Sequence, residues 1–307
     1  MRAVWSFWTK PHFSDRRSGW HQDWHHWLAW GLSFYAARQH YSETCLVTDD
    51  VGARILVEQL QLPFERVSTA LNTLKDQDPR WWALGKIEAY RRQRAPFVHI
   101  DTDVFLWKPL PADVAAADVF AQNPEPIGRD AFCYRPEELE QALGFPAQGW
   151  LPKEWSWYRR NAEFPRAECC GVFGGCNIDF IHHYASTAMR LLSHPKNSRG
   201  LAVLSNKVMH MILLEQYLLT ACIEYHRNRR GSPYNGVDIR YLFDTIGDLS
   251  RPERSTELGY THLASGSKGE ARICRQLELR VKRDLPEHYD RCARYFRART
   301  GSIQLQR

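Results

Sequence analysis

The sequence predicts an α/β fold in which a mostly parallel central sheet carries helices on both faces. Three observations indicate this fold class. Short apolar runs rich in β-branched and aromatic residues alternate with longer stretches whose apolar residues recur at helical spacing. The chain of 307 residues is long enough for one large domain of this kind. Acidic residues directly follow two of the apolar runs, at the strand ends where parallel sheets commonly bind ligands.

Seven elements alternate regularly at the beginning of the chain. We predict strands at 3–8, 44–48, 64–67 and 97–100, and helices at 20–38, 51–60 and 80–92. Asp50 is the expected N-cap of the second helix, because its carboxylate can accept a hydrogen bond from a free backbone N–H. Such alternation is typical of a parallel sheet. The acidic residues that follow the strands (Asp49, Asp50, Asp101 and Asp103) should therefore share one edge.

The rest of the chain alternates less regularly. Segment 123–166 is rich in proline and aromatic residues and has no clean period, and its length favours a lid or an acceptor-binding region. An ordered surface loop without a functional role would explain this segment equally well. Beyond it we predict helices at 182–193 and 206–222, strand-like runs at 237–243 and 260–263, and a basic helical segment at 270–299. We place one domain at 1–270, with the insertion 123–166, and a helical C-terminal extension at 271–307.

Composition narrows the class of protein. Charged residues make up 25% and hydrophobic residues 44%, as in ordinary globular proteins. The net charge of +6 suits an anionic ligand such as a nucleotide diphosphate, and the scattered basic residues do not indicate nucleic-acid binding. The eight cysteines are irregularly spaced and form no C-x-x-C, which predicts reduced thiols and a cytoplasmic protein. We expect neither a signal peptide nor a transmembrane segment from the sequence.

The stretch 96–110 contains the most informative residues. A short apolar strand ends at Asp101 and Asp103, and another apolar run follows. Carboxylates two residues apart on an extended chain point to the same side, where they repel each other unless a cation compensates. Hard oxygen ligands favour Mg²⁺ or Mn²⁺, which often bridge carboxylates to phosphates. The alternative is that both aspartates only cap a turn between strand and loop.

Three later stretches also contain candidate site residues. Gly174 and Gly175 precede Asn177, whose amide can bind sugar hydroxyls, although a glycine bulge followed by a turn explains them equally well. The pair at 215–216, Glu-Gln, interrupts an apolar helix and is either solvent-facing or aimed at a cleft. His262 precedes a run of small residues that contains Lys268, and such a run lets a backbone approach phosphates.

The order of these pieces resembles the GT-A glycosyltransferases. It combines D-T-D at 101–103, G-G-C-N-I-D at 174–179, E-Q at 215–216 and H-L-A-S-G-S-K at 262–268. The pattern is most similar to the glycogenin and bacterial lipopolysaccharide galactosyltransferase type, and to related capsular polysaccharide glycosyltransferases. It spans about residues 1–270 and implies a single GT-A, Rossmann-like domain.

The resemblance implies a metal site and a donor site. Asp101, Asp103 and His262 match the residues that bind a divalent metal, usually Mn²⁺ and otherwise Mg²⁺, which holds the diphosphate of the donor. Lys86 matches a basic residue that contacts the donor, and Lys268 is similar in place to a lysine that contacts phosphate. Where the family has Lys-Pro-Trp, this chain has Lys-Gly-Glu, and the Lys268 assignment therefore departs from the pattern.

The resemblance also implies residues near the transferred sugar. Asn177 and Asp179 resemble contacts to the donor sugar. Asn177 is therefore a predicted donor-binding residue, and Asp179 is a predicted catalytic residue. Glu215 and Gln216 resemble an Asp-Gln pair near the reacting carbon, with glutamate in place of aspartate. In an inverting enzyme Glu215 or Asp179 would deprotonate the acceptor. In a retaining enzyme the leaving phosphate would take that proton.

These expectations combine into one function with two alternatives. We expect a metal-dependent hexosyltransferase of polysaccharide biosynthesis that moves a sugar from a nucleotide-diphosphate donor, most commonly a UDP-sugar, to a hydroxyl. The acceptor would be a glycan, a lipopolysaccharide or capsule chain, another lipid-linked acceptor or a protein, in the cytoplasm or at the inner face of the membrane. The alternatives are a catalytically silent protein of the same fold that binds nucleotides or glycans, and a metal-dependent phosphoesterase using Asp49, Asp50, His25 and His26.

Overall fold

The computed structural model describes residues 1–14, 19–128, 134–144 and 148–304, without the side chains of residues 265 and 300–304. Its strands are β1 Arg2–Phe7, β2 Thr44–Thr48, β3 Arg66–Ser68, β4 Phe97–Ile100, β5 Val104–Leu106, β6 Val119–Pro126, β7 Arg166–Gly175, β8 Ile239–Tyr241 and β9 Tyr260–His262.

The α-helices lie between and after these strands. They are α1 Thr9–Phe13, α2 Asp23–Arg38, α3 Asp50–Ala53, α4 Leu84–Arg91, α5 Ala112–Ala115, α6 Pro136–Leu143, α7 Lys153–Asn161, α8 Ile178–Ser193, α9 Ser198–Val203, α10 Lys207–Ile212, α11 Leu218–Arg227, α12 Pro252–Leu258, α13 Ala271–Asp284 and α14 Pro286–Gln304. Two π-helical turns occur, Arg54–Gln59 after α3 and Leu213–Tyr217 between α10 and α11. Short 3₁₀ turns are Ala70–Leu74, Pro195–Asn197, Ile246–Ser250 and Ser265–Gly269.

Seven strands form one mixed sheet in the order β3-β2-β1-β4-β7-β6-β8. Strand β7 runs antiparallel to both of its neighbours, and every other adjacent pair is parallel. Strands β5 and β9 form a separate antiparallel ribbon. Six strands of the sheet therefore end at the same edge, which we call the carboxyl edge, and we call the opposite edge the amino edge.

Helices cover both faces of this sheet. Because successive strand residues point to opposite faces, Val4 of β1 joins one core and Trp5 joins the other. The core on the Val4 side contains residues of α4, α7, α8 and α11, whereas the core on the Trp5 side contains residues of α2, α13 and α14. The predicted fold class is confirmed: an α/β fold with a mostly parallel central sheet, helices on both faces and helices at the C-terminus.

Several element boundaries differ from the predictions. Asp50 is not the N-cap of the second predicted helix, because the carboxylate that accepts the backbone N–H of Gly52 is that of Asp49. Strand β6 continues to Pro126, so the first residues of the predicted insertion 123–166 belong to the central sheet. Helix α8 begins at Ile178, four residues before the predicted start at 182. Each difference concerns the end of an element, which sequence periodicity locates less well than the element itself.

Helix α7 anchors the predicted insertion in the core. Trp155 is fully buried, and its ring lies 4.7 Å from that of Tyr217. Tyr158 is also buried and lies 5.2 Å from the same ring. The lid or acceptor role of 123–166 remains a prediction, and residues 129–133 and 145–147 of it lie outside the described residues.

The C-terminal helix α14 contacts α2 at a glycine. A Cβ at Gly31 would lie 2.1 Å from the ring of His288, whose Nε2 is 3.0 Å from the carbonyl oxygen of Trp27. We expect Gly31→Ala to lower the free energy of unfolding by about 1–3 kcal/mol through overpacking. Urea denaturation measures this. In a His288→Ala background the same change should be neutral or stabilising, since alanine favours a helix by about 1 kcal/mol over glycine. Equal destabilisation in both backgrounds would contradict the contact.

Among the described residues, no helix combines the length and the apolar composition that crossing a membrane requires.

Candidate functional site

A pocket lies at the carboxyl edge, between the ends of β1 and β4. The residues after β1 contribute Trp8 and His12 to its wall, and the residues after β4 contribute Asp101 and Asp103. Lys86, from α4, also lines the pocket. The placement of both aspartates at this edge agrees with the expectation from the sequence. It follows from the parallel pairing of β1 with β4, because parallel strands end together.

The β5–β9 ribbon brings His262 to the aspartates. Val104 is paired with His262, and the backbone N–H of Leu263 donates to the carbonyl of Asp103 at 2.9 Å. The Nε2 atom of His262 lies 3.6 Å from Oδ1 of Asp103. One candidate ligand atom from each of Asp101, Asp103 and His262 lies within 4.8 Å of the other two. The structure thus brings together the three residues predicted to bind a metal.

Gln122 orients the imidazole of His262. Its Oε1 atom lies 2.8 Å from Nδ1 of His262 and also accepts the hydroxyl hydrogen of Tyr260, while its Nε2 donates to Asn123. Because an amide oxygen only accepts, the histidine hydrogen lies on Nδ1. The lone pair of Nε2 then faces Asp103, which is the orientation a metal ligand needs. No sequence pattern indicated Gln122, because its role depends on pairing across strands.

Lys86 lies between two carboxylates. Its Nζ atom is 2.9 Å from Asp101 and 2.5 Å from Oε1 of Glu215, and it donates to the carbonyl of Cys170 at 3.2 Å. Burial disfavours the charge of Lys86, but Asp101 and Glu215 outweigh burial and hold its pKa well above the usual range. Lys86 is therefore a fixed ammonium group at the floor of the pocket.

Glu215 is fully buried and lies beneath Lys86. It belongs to the π-helical turn Leu213–Tyr217, a kind of turn that is frequent at functional sites. With no exposed surface, its carboxylate cannot contact a ligand in the pocket directly. The structure places Glu215 as the counter-charge of Lys86, which differs from the solvent-facing or cleft-facing position expected from the sequence.

The two aspartates have pKa values that are shifted in opposite directions. Burial raises the pKa of Asp101 to about 7; Lys86 opposes this, and Asp103 and Glu215 add to it. Burial also acts to raise the pKa of Asp103, but Lys268 and His262 outweigh it, so the net shift is downward. Burial lowers the pKa of His262. At neutral pH, Asp103 is ionised and His262 is neutral, which are the states in which these groups bind metals.

Lys268 lies directly against Asp103. Its Nζ atom is 2.6 Å from Oδ2 of that residue, and its carbonyl accepts the backbone N–H of His21 at 2.8 Å. The 3₁₀ turn Ser265–Gly269, which follows β9, holds it there. Lys268 lines the same pocket as Asp101 and Asp103, although its sequence context departs from the family pattern.

Aromatic side chains form the remaining wall of the pocket, and no sequence pattern predicted that they belong to a site. Trp8, Trp20 and Trp82 line it together with Pro11 and His12. Trp20 was predicted to belong to the apolar face of a helix, but it precedes α2, which begins at Asp23. The high aromatic content was the only signal, and it did not distinguish these residues from core residues.

The structure separates Asn177 and Asp179 from this pocket. Strand β7 is antiparallel, and its last residue, Gly175, is paired with Phe97 at the start of β4. Residues that follow β7 therefore lie at the amino edge. Asn177 caps α8 by accepting the backbone N–H of Phe180, and both Asn177 and Asp179 line a second pocket. This geometry places neither residue against a ligand bound at Asp101.

The structure also separates the members of the Glu-Gln pair. The side chain of Gln216 is in hydrogen-bond contact with the hydroxyl of Tyr134, which also contacts the carboxylate of Glu125, whereas Glu215 faces Lys86. The two neighbouring side chains thus contact different parts of the domain.

Three of the four polar residues considered for a phosphoesterase have structural partners. Asp49 accepts hydrogen bonds from the backbone and the hydroxyl of Thr9, both at 2.8 Å, in addition to capping α3. His25 lies 2.8 Å from Glu278, and His26 accepts the indole N–H of Trp30 at 3.1 Å. These contacts explain the residues as parts of the fold.

Comparisons with known proteins place the chain in a family. No curated protein gives a significant match to this sequence. Among solved structures, the galactosyltransferase LgtC in complex with donor and acceptor sugar analogues is similar with a TM-score of 0.39 and 11% identity, over 90% of this chain and 96% of that chain. A likeness at that level assigns no activity. A model of the family described as "Family of unknown function (DUF6734)" matches residues 1–295, and the chain therefore belongs to that family.

Proposed function

We propose that the protein is a metal-dependent glycosyltransferase that moves a hexose from a nucleotide-diphosphate sugar to a hydroxyl acceptor. The observation that carries this proposal is the convergence of Asp101, Asp103 and His262 with Lys86 and Lys268 at the carboxyl edge. The donor would be a UDP-sugar, and the acceptor a glycan, a lipopolysaccharide or capsule chain, another lipid-linked acceptor or a protein.

The donor atoms fit a hard divalent cation. Two carboxylates and one imidazole are a suitable set for Mn²⁺, and Mg²⁺ accepts the carboxylates. Asp101, Asp103 and His262 would hold the ion. When bound, it would neutralise negative charge on the leaving diphosphate.

The net charge of the ionised groups around Asp101 also supports binding of a divalent cation and a diphosphate. Within the described part of the chain, Asp101, Asp103 and Glu215 face two ammonium groups, those of Lys86 and Lys268. With all of these groups ionised and the histidine neutral, one negative charge remains, which attracts a divalent cation. With that cation the cluster becomes positive and attracts a diphosphate. Because Asp103 would then also bind the ion, it would hold Lys268 less strongly. Lys268 would then exchange Asp103 for a phosphate oxygen.

The aromatic wall suits the base of the nucleotide. Trp8, Trp20 and Trp82 offer flat apolar surfaces beside the charged floor. Nucleotide sites commonly combine such surfaces with a few fixed polar groups. The base would lie against this wall with its diphosphate toward Asp103.

The described residues favour retention of the sugar configuration. Among the described residues lining the pocket, the only carboxylates are Asp101 and Asp103, which are the proposed metal ligands. Glu215 is buried, and Asp179 lies at the amino edge. Neither is placed to deprotonate an acceptor, so the leaving phosphate would take the proton.

Nucleotide release from a panel of nucleotide sugars tests the proposal. We expect slow release of UDP from UDP-glucose or UDP-galactose in the presence of Mn²⁺, and none after chelation. Binding of the nucleotide sugar without release in the presence of any acceptor would favour the catalytically silent alternative, which the direct Lys268–Asp103 contact also fits. Release of phosphate from a simple ester, with no turnover of nucleotide sugars, would instead favour the phosphoesterase.

Gln122 should affect the affinity for the metal without binding the ion itself. We expect Gln122→Leu to weaken Mn²⁺ binding in the presence of UDP by about 10–100-fold, because His262 loses the acceptor that orients it. Electron paramagnetic resonance of free Mn²⁺ measures this affinity. Gln122→Glu keeps an acceptor and should retain most of the affinity. Equal affinities in the leucine variant and the wild type would show that Gln122 does not position His262.

A further inference from the structure

Three helices bring a carboxylate and two imidazoles together near the amino edge. Glu154 lies in the first turn of α7, His183 in α8 and His226 near the end of α11. Oε1 of Glu154 is 3.2 Å from Nε2 of His183 and 3.4 Å from Nε2 of His226. The two Nε2 atoms are 3.0 Å apart.

These distances match the spacing of ligands around a metal ion. Ligand atoms about 2.0–2.2 Å from a tetrahedral zinc ion lie about 3.3 Å from one another. An ion at that distance from all three atoms of the Glu154, His183 and His226 cluster would lie just outside their plane, leaving a fourth position open. Hydrogen bonds satisfy such a triangle poorly, because each N–H can point at only one of the other two atoms.

The surroundings of His226 favour the ligand orientation. Its Nδ1 atom lies 2.6 Å from the hydroxyl oxygen of Ser232. A hydrogen on Nδ1 that is donated to this hydroxyl leaves the lone pair of Nε2 directed at Glu154 and His183, an arrangement common around metal-bound histidines. The ring of Tyr234 packs against both imidazoles, at 5.1 and 5.2 Å, and restricts their rotation.

The cluster is buried on one side and open on the other. Glu154 and His226 are each 3% exposed, so their polar atoms lie away from water. The side chain of His183 is 26% exposed and lines the pocket that also contains Asp179 and Tyr234. An ion or a water molecule can enter from this pocket.

We propose that Glu154, His183 and His226 form a binding site for a divalent ion of the zinc class, with its fourth position facing the pocket at the amino edge. Two imidazoles and one carboxylate are a ligand set that zinc prefers, whereas Mg²⁺ prefers oxygen atoms alone. The ion would tie α7, which belongs to the insertion 123–166, to α8 and α11. This inference is independent of the function proposed for the carboxyl edge.

Zinc titration of the metal-stripped full-length protein, in competition with a chromogenic chelator, tests this site. The variants are His183→Ala and His183→Gln, and the matched control is His182→Ala, which removes the neighbouring histidine of the same helix and pocket. Loss of a ligand should weaken zinc binding at this site by at least about 100-fold, more than the loss of an outer partner does. The His182 variant should bind zinc like the wild type.

A thermal-unfolding series supplies a second readout that does not depend on activity. Zinc should raise the Tm of the wild type and of His182→Ala by more than it raises the Tm of either His183 variant, because a ligand that binds only the folded state stabilises it. Equal zinc binding and equal Tm shifts in the His183 and His182 variants would overturn the proposal, as would a wild type that competes with the chelator no better than the His183 variants.

Ser232→Ala keeps the test decisive if the His183 variants do not fold. This change removes only the partner of His226 Nδ1 and should weaken zinc binding by about tenfold. Unchanged affinity in a folded Ser232→Ala protein would show that zinc does not bind through His226. Zinc held at Asp103 would be unaffected by any of these variants, so the two sites are distinguishable.

Discussion

Asp103→Asn should abolish metal-dependent nucleotide binding. Asparagine keeps the size of the side chain but removes the charge that faces His262 and Lys268. The ion would lose an anionic ligand. Lys268, which no longer faces a charged carboxylate, cannot bind the ion in its place because it is itself a cation. We expect the affinity for UDP in the presence of Mn²⁺ to fall by at least about 100-fold, equivalent to about 2.7 kcal/mol. Titration calorimetry with and without Mn²⁺ measures this loss.

A control for Asp103→Asn is available at the same edge of the sheet. Asp50 follows β2, is exposed, and begins α3. Asp50→Asn removes the same charge from the protein and should leave binding of UDP and Mn²⁺ unchanged. If both variants bind like the wild type, the metal–diphosphate site does not involve Asp103. If both lose binding equally, only the net charge of the edge matters.

Lys86→Met should strongly destabilise the protein. The change leaves Asp101 and Glu215 facing each other without the ammonium group that now contacts both. Removing one partner of a buried ion pair typically costs about 3–5 kcal/mol, because an uncompensated charge remains buried. We expect a loss of that size in the free energy of unfolding at pH 8, measured by urea denaturation.

The cost of Lys86→Met should depend on pH. Burial already raises the pKa of Asp101 to about 7 with Lys86 present. Without the ammonium group that pKa rises further, so at pH 5 the folded variant binds a proton on Asp101 that partly replaces the lost cation. Because the folded state then binds more protons than the unfolded state, its stability falls as the pH rises. The difference from the wild type should therefore be smaller at pH 5 than at pH 8.

Two further variants identify the cause. Lys86→Met combined with Glu215→Leu removes both members of the pair and should recover much of the lost stability, because a buried pair can be replaced by apolar groups at little cost. Lys196→Met removes an exposed lysine and should change the stability by less than about 0.5 kcal/mol. Additive losses in the double variant would contradict a direct Lys86–Glu215 pair.

The sequence predicts the placement of the acidic pair well, for a local reason. Asp101 and Asp103 follow an apolar run, and a parallel strand must end at the edge where ligands bind. The proximity of His262 is a different matter, since it depends on pairing between β5 and β9, which are far apart in the chain. Only the resemblance to a known family indicated it.

The positions of Asn177 and Glu215 show where sequence reasoning fails. Periodicity does not reveal the direction of a strand, so the antiparallel course of β7, which places Asn177 at the amino edge, was not predictable. The π-helical turn at Leu213–Tyr217 likewise changes the face on which Glu215 lies, and standard helical spacing does not describe it. The amide of Gln122 was missed because only cross-strand contacts define its role.

The Glu154, His183 and His226 cluster left no pattern in the sequence. Each ligand comes from a different helix, and the intervals between them are far longer than those of compact zinc motifs. Only the packing of α7, α8 and α11 brings them together.

The most direct test of the carboxyl-edge site is the position of manganese in a crystal grown with UDP and Mn²⁺, located by anomalous scattering. We expect a manganese peak bonded to Asp103 and His262, with the diphosphate of UDP beside Lys268. UDP bound in the pocket with no manganese at the aspartates, or manganese and UDP bound together elsewhere on the protein, would contradict it.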